Sequence, residues 1–428
     1  MLSTPRLRSP SDGACCRNEA KELSVKRTQL IATGALASTA LLVLTGCTGG
    51  GGSAESNGPI TLTITDTLSE TSAPIYEEVY EVCAEQVGVT VEASHVAGSG
   101  LIAKVLQQAS SRTLPDILML DNPDVQQIAS SGALSPLGDY GITGEGYPQG
   151  ILDAGTYEGD LYGIAPVVNS IGLFYNADLL AEAGVEPPQT WDELKAAASA
   201  LTDGSRYGIA FSAANSFEGT WQFLPFLWSN GGSEDDLTSP EAVEALEFVN
   251  GLVADGSASS SVVGWSQNDV NDQFIAGNAA MMINGPWNMP KLTAAEGLNF
   301  ESIEIPVPTA GDTTIAPLGG EAFTVPQTGD PAKMAAAGEF VACVTEDEHQ
   351  ITMATGRGAV PSSTAAAETA AADNPLINSF VETVQNARAR TALLGEEWPA
   401  AATSIYTAVQ IALTGQASPA EALEQASS

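Results

Sequence analysis

From residue 60 onward, short β-branched runs alternate with segments whose apolar side chains recur at helical spacing. Residues 60–65 predict a strand, and 73–87 a helix with Ile75, Val79, Val82 and Val87 on its apolar face. A strand at 90–94, a helix at 101–111 and a strand at 116–120 follow. This βαβαβ rhythm predicts an α/β fold with a largely parallel sheet covered by helices on both faces. Later helix starts are marked by local chemistry. Thr190-Trp191-Asp192-Glu193 is a capping box, and Ser239-Pro240-Glu241 and Ser418-Pro419 set a cap residue before Pro at the first helical position. The second half is richer in helix, with segments at 191–201, 239–255, 265–277, 331–344, 374–387 and 401–414. The Ala-rich stretch 365–372 reads as a helix or a connecting segment. No tandem repeat is visible. Ligands of α/β sheets gather at the carboxyl ends of strands, so the loops after Thr65, Leu120 and Ile283 are the places to look.

Ahead of this body the pattern changes. Lys26 and Arg27 precede an uncharged apolar run at 30–44, the length of a signal-peptide core and short for a membrane span. The run ends in Leu44-Thr45-Gly46-Cys47, small residues before a cysteine, which looks like a bacterial lipobox. Cleavage before Cys47 and acylation of its thiol would anchor the chain to the outer face of the cell membrane. Residues 1–46 are then the signal peptide, and 47–58 the lipidated cysteine with a Gly-rich flexible tether. Residues 1–24 are long and mixed for a basic leader. Val25-Lys26-Arg27 would be a compact one if Val25 is the true translation start.

Charge narrows the partners. Removing residues 1–46 leaves nine basic against 49 acidic residues. Such a surface repels nucleic acid and anionic headgroups, so membrane contact would come only through the lipid. It favours a neutral or cationic ligand. A mature chain of about 380 residues exceeds one ordinary core and fits two lobes. Beyond the lipobox only Cys83 and Cys343 remain, each at an apolar position of a predicted helix. An oxidising compartment permits a disulfide between them, and two buried thiols is the other reading.

Catalytic signatures are missing from the sequence. Two histidines, His95 and His349, supply no metal cluster and read as surface or helix-end residues. There is no G-x-S-x-G elbow, no P-loop and no G-x-G-x-x-G after a strand. With 49 acids, a pair of carboxylates spaced for glycoside hydrolysis is uninformative. The tryptophans say more. Trp221, Trp265, Trp287 and Trp398 fall where the alternation predicts loops or helix starts. Sugars present flat C–H patches that stack on indole rings while their hydroxyls need polar partners. Trp287 follows the strand-like Ala280-Met281-Met282-Ile283 and the turn Asn284-Gly285-Pro286, so it projects from a strand's carboxyl end.

Three segments, in order, carry a resemblance. The run Phe274-Ile275-Ala276-Gly277-Asn278-Ala279-Ala280-Met281-Met282-Ile283-Asn284-Gly285-Pro286-Trp287 resembles the F-x-x-G-x-A-A-M-x-x-N-G-P-W segment of bacterial extracellular solute-binding protein family 1, the maltose-binding-protein group. Ala165-Pro166 through Phe174-Tyr175-Asn176-Ala177-Asp178-Leu179-Leu180, then Pro188 and Thr190-Trp191-Asp192-Glu193-Leu194, is similar to that family's crossover strand and next helices. Pro317-Leu318-Gly319-Gly320-Glu321 through Pro326, with Glu339-Phe340, Thr345 and Glu348, resembles a third stretch. The likeness runs from about residue 60 to the C-terminus.

The resemblance implies a two-lobed, type II periplasmic-binding-protein-like α/β fold with three inter-lobe crossings, near Pro166, 304–307 and 372–375. Residues 59–165 with 304–372 would form one lobe, and 166–303 with 373–428 the other. Cys83 and Cys343 then share a lobe. The implied ligand contacts are Trp287, Trp221 and Trp398 for stacking, and Asp121, Asn122, Thr67, Ser69, Glu70, Glu321 and Arg357 for hydroxyls. The sequence departs from the maltose-binding protein at 66–70 and 121–124, so maltose specificity does not carry over. The expectation is a monomeric, cofactor-free ABC-importer lipoprotein that carries a sugar, an oligosaccharide first, to the permease transmembrane subunits. An amine, polyol or peptide in the same fold is the alternative reading, and a secreted glycosidase or an adhesion protein the more distant ones.

Overall fold

The computed structural model describes residues 59–96 and 101–428. The signal-peptide, Cys47 and tether readings lie outside the described residues. Expected and observed elements agree closely at the start: strands Thr61–Asp66, Thr90–His95 and Ile117–Asp121 alternate with helices Ala73–Val87 and Leu101–Ser111. The three strands are parallel, with Thr61 opposite Thr90 and Ile64 opposite Ile117. The sheet does not stay parallel. Strand Gly319–Pro326 runs antiparallel to Ile117–Asp121, pairing Glu321 with Asp121. It enters the sheet at the end where Ile117–Asp121 finishes, so it can only run back along it. Strands Val167–Asn169 and Val360–Pro361 extend this large sheet, again antiparallel.

A second, four-stranded sheet has the order Tyr207–Ala210, Ala279–Asn284, Gly172–Asn176, Phe300–Ile303. Ala279–Asn284 is buried at all six positions, which is why it reads as an unbroken apolar run. The chain passes from the large sheet to the small one at Ser170 and Ile171, beyond the Pro166 expected from sequence, because Val167–Asn169 still pairs in the large sheet. It returns between Ile303 and Gly319. The two passages are tied together: the Ser170 hydroxyl donates to the Pro317 carbonyl at 2.8 Å.

Helix ends follow their local chemistry. Thr190 forms the expected capping box with Glu193, Ser418 caps its helix as expected and completes a box with Glu421, and the Ser239 hydroxyl accepts from the Ala242 amide. The Ala-rich stretch is a helix, Thr364–Asp373. Val82, expected on the buried face of its helix, is 47 % exposed, since Val79 and Cys83 take the inward positions.

Three apolar clusters hold the body together. One lies under the large sheet, where Tyr76, Tyr80, Phe323 and Phe340 pack ring to ring. Another fills the small-sheet side around Trp191, Phe226 and Trp228. The third draws Leu118 and Leu120 from the large sheet and Phe174 and Met282 from the small one, with Phe380 5.5 Å from Phe174.

Cys83 and Cys343 join helices Ala73–Val87 and Pro331–Val344 through a disulfide, Sγ–Sγ 2.05 Å, across a sequence separation of 260. A cross-link over so long a loop restricts the unfolded chain strongly. Replacing both cysteines with serine is expected to destabilise the protein by about 2–5 kcal/mol. Urea unfolding of the C83S/C343S variant beside the oxidised wild type checks this, and equal midpoints would count against it.

Candidate functional site

The carboxyl end of Ile117–Asp121 and the turn after Ala279–Asn284 open onto one cavity of about 350 Å³. The large-sheet side contributes Asp121, Asn169, Gly319, Gly320, Glu321 and Arg357. The other wall is Phe217, Glu218, Trp221, Gln267 and Trp287, and Arg390 stands between them.

Trp287 is placed by its own motif. Asn284 is fully buried; its side-chain oxygen accepts from the Gly285 amide, and its amide group donates to the Gln267 carbonyl at 2.9 Å. The indole then folds back over Gly285. A Cβ there would lie 1.9 Å from the ring, so only glycine fits. Pro286 opens the short 3-10 turn that carries Trp287, which ends half-buried on the cavity wall.

The opposite wall is built on charge. Arg357 closes helix Asp347–Arg357, and Nη1 donates to Glu321 Oε2 at 2.8 Å and to the Tyr76 hydroxyl at 3.0 Å. Glu321 pushes the guanidinium pKa still higher against the opposing effect of burial. Burial raises the Tyr76 phenol to about 12, so it stays protonated. Arg390 Nη2 donates to Asp121 Oδ1 at 2.7 Å and to Asn122 Oδ1 at 2.9 Å. Its guanidinium lies 4.8 Å from the Trp221 ring centroid, a cation–π contact. The lining therefore holds three carboxylates and two guanidinium groups, formally one negative charge in excess.

Three lining residues carry a buried polar atom with no partner among the described residues: Trp221 Nε1, Gln267 Oε1 and Arg390 Nε. Such atoms are rare in folded chains and gather where a ligand or water completes the bonding. A larger cavity, about 540 Å³, is lined by Glu304, Asp312, Glu382 and the return passage. It has no aromatic ring and no cation, so the smaller cavity is the chemically equipped one.

The structure thus brings Trp287, Trp221, Asp121, Glu321 and Arg357 to one cavity, and keeps the other expected contacts away. Trp398 opens helix Trp398–Leu413 but is 5 % exposed and packs into the small-sheet core, because that helix lays its apolar face inward. Asn122 is buried, accepts from Arg390 and donates to the Leu318 carbonyl, so it braces the wall. Thr67, Ser69 and Glu70 stand outside the cavity. Their loop folds on itself, with the Ser69 hydroxyl bonded to Thr71 and Ser72. Trp221 sits within helix Phe217–Ser229 and not at its start, and Arg390 covers one of its faces. His95 is exposed, as expected of a surface residue, with Nδ1 2.6 Å from the buried Asp66, and His349 stands near the start of helix Asp347–Arg357 but is buried.

Sequence reasoning missed Arg390, Glu218, Gln267, Asn169 and Phe217. Scarcity was the available signal for Arg390: with nine basic residues after Cys47, each arginine in a loop stands out.

The profile of a family described as bacterial extracellular solute-binding proteins matches residues 78–378. The chain belongs to that family. Among solved structures, this solute-binding protein is similar to the GacH receptor of Streptomyces glaucescens, crystallised unliganded and with acarbose. The identity is 26%, the TM-score 0.74, and the match covers 86% of this chain and 97% of that one. The cyclic alpha-maltosyl-1,6-maltose binding protein of Arthrobacter globiformis gives the same figures. The architecture is therefore the two-lobed α/β one expected from sequence. A maltooligosaccharide ABC transporter solute-binding lipoprotein of Streptococcus pneumoniae is 25% identical over 83% of this chain and 85% of its own. A binding protein of Brucella abortus is 26% identical over 243 residues, and the matched stretch spans 58% of its length.

Asp124, on helix Asn122–Ser130, has its carboxyl pKa raised to about 7, by burial first and Asp121 second, with Arg390 pulling the other way. A folded-state pKa above the unfolded value means stability is present below about pH 4 and lost as pH rises through about 7. Asp124→Asn should melt with the wild type at pH 4 and progressively above it towards pH 8. Thermal melts across that range check this; a constant offset would contradict it.

Proposed function

We propose that this solute-binding protein is the lipid-anchored receptor of an ABC importer, and that it captures a neutral oligosaccharide between its lobes for delivery to the permease. One observation carries the reading: a single cavity sets the half-buried face of Trp287 on one wall opposite the ion-paired groups Glu321–Arg357 and Asp121–Arg390 at the large-sheet wall. Sugars need both, an apolar face to stack and polar groups that meet hydroxyls edge-on. The excess negative charge of the lining disfavours uronates and sugar phosphates. The ligands of similar proteins, maltooligosaccharide and acarbose among them, support the same class.

In this reading the lobes are the expected 59–165 with 304–372 and 166–303 with 373–428, with the first boundary moved to Ser170, where Val167–Asn169 leaves the large sheet. Ligand that touches both lobes shifts the population toward the closed form. The closed protein, a monomer, then docks on the transmembrane subunits. Cys47 carries the lipid, and the segment after it is the tether.

Two outcomes are expected. Trp287→Ala should weaken binding of maltotriose or a galactooligosaccharide at least tenfold, about 1.4 kcal/mol, with little change in melting temperature. Calorimetric titration of wild type and variant measures this, and unchanged affinity would sink the sugar reading. Expressed from its native start, Cys47→Ala should appear in the medium or periplasm while the wild type sediments with membranes. Equal membrane association would remove the anchor.

A further inference from the structure

We infer that Phe217 and Tyr406 form an outer sugar platform beside the cavity, so that the site binds at least two linked pyranose units and selects ligands by chain length. The inference rests on the sugar reading above and adds to it the number of units and the direction in which the chain leaves.

Phe217 is 55 % exposed, the most exposed large apolar side chain among the described residues, and it lines the cavity. The four others that are exposed, Val82, Tyr207, Leu376 and Leu393, do not. A phenyl ring this open to water gains free energy when an apolar face covers it. Its position is fixed, because it opens helix Phe217–Ser229 immediately after Ser216, whose hydroxyl accepts from the Glu218 amide. Tyr406 lies on helix Trp398–Leu413, half-buried, with its ring centroid 6.2 Å from that of Phe217 and the planes tilted by 57°.

The backbone holds this pair in register. The Thr220 hydroxyl, one turn beyond Phe217, donates to the Ala402 carbonyl, one turn before Tyr406, at 2.7 Å. Two rings on helices bonded at the adjacent turn make a preorganised surface. Trp221 is four residues from Phe217 on the same helix, so the aromatic stripe leads from the outside in. Within the cavity Arg390 already covers a face of Trp221. The cavity itself, about 350 Å³, is at the small end of the range of ligand pockets. A longer sugar must therefore leave across Phe217, whose ring meets the C–H face of the next unit.

The test is a length series, glucose to maltotetraose and galactose to a galactotetraose, titrated calorimetrically into wild type, Phe217→Ala, Phe217→Trp and Tyr406→Ala, each checked by thermal melting. The expected result is wild-type affinity that rises with length from one to three units. Phe217→Ala should lose at least tenfold for the trisaccharide and less than threefold for the monosaccharide, Tyr406→Ala should lose in the same sense, and Phe217→Trp should keep the gradient. Equal losses at every length, or none, overturn the platform while leaving the sugar reading intact. An exposed ring that serves permease docking would give that second pattern. Failure of the wild type to bind any sugar in either series overturns both.

Discussion

A guanidinium lodged between two apolar cores must have its charge balanced and its ring-like face covered. Arg390 meets both needs by reaching across the crevice. Its donors engage Asp121 and Asn122 at the end of the large sheet's Ile117–Asp121 strand, and its face lies on Trp221 of the other wall. Segments distant in sequence are thereby fixed in one arrangement, and Trp221 is held as a support more than as a free stacking surface. Arg357 does the same on its side with Glu321 and Tyr76. The cavity is what remains between these two anchored charges, with Trp287 and Phe217 as its open apolar faces.

This arrangement explains how a strongly acidic chain can present a nearly balanced site. The carboxylates at the cavity are not free acids. Asp121 and Glu321 each face an arginine, and Glu218 accepts from the backbone of Gln267. Groups so engaged offer lone pairs in set directions, which suits the recognition of hydroxyls. In the proposed reading, holding a guest in this way requires only that both walls touch it, so closure and binding would be one event.

How much of this was visible in the sequence depends on where the information lay. Periodicity gave the early strands and helices, often to the residue, because their apolar residues recur at regular spacing and Gly88 ends the first helix in a left-handed turn. Trp287 was legible because the N-G-P-W turn is a local device whose parts are adjacent in sequence. Glu321 and Arg357 were each picked out, but their pairing was not, since it joins positions 36 residues apart. Trp398 and Asn122 failed for a different reason: position at an element's end does not say which way a side chain turns, and both turn inward. Thr67, Ser69 and Glu70 followed the strand-end rule into a loop that satisfies its own hydroxyls. Arg390 belongs to no motif, and its role exists only once three remote segments meet.

The most direct measurement is small-angle X-ray scattering of the mature protein without and with a saturating oligosaccharide that calorimetry shows to bind. If two lobes close on a shared guest, the radius of gyration falls on saturation and the change tracks occupancy. Saturable binding that leaves the scattering curve unchanged would contradict the account.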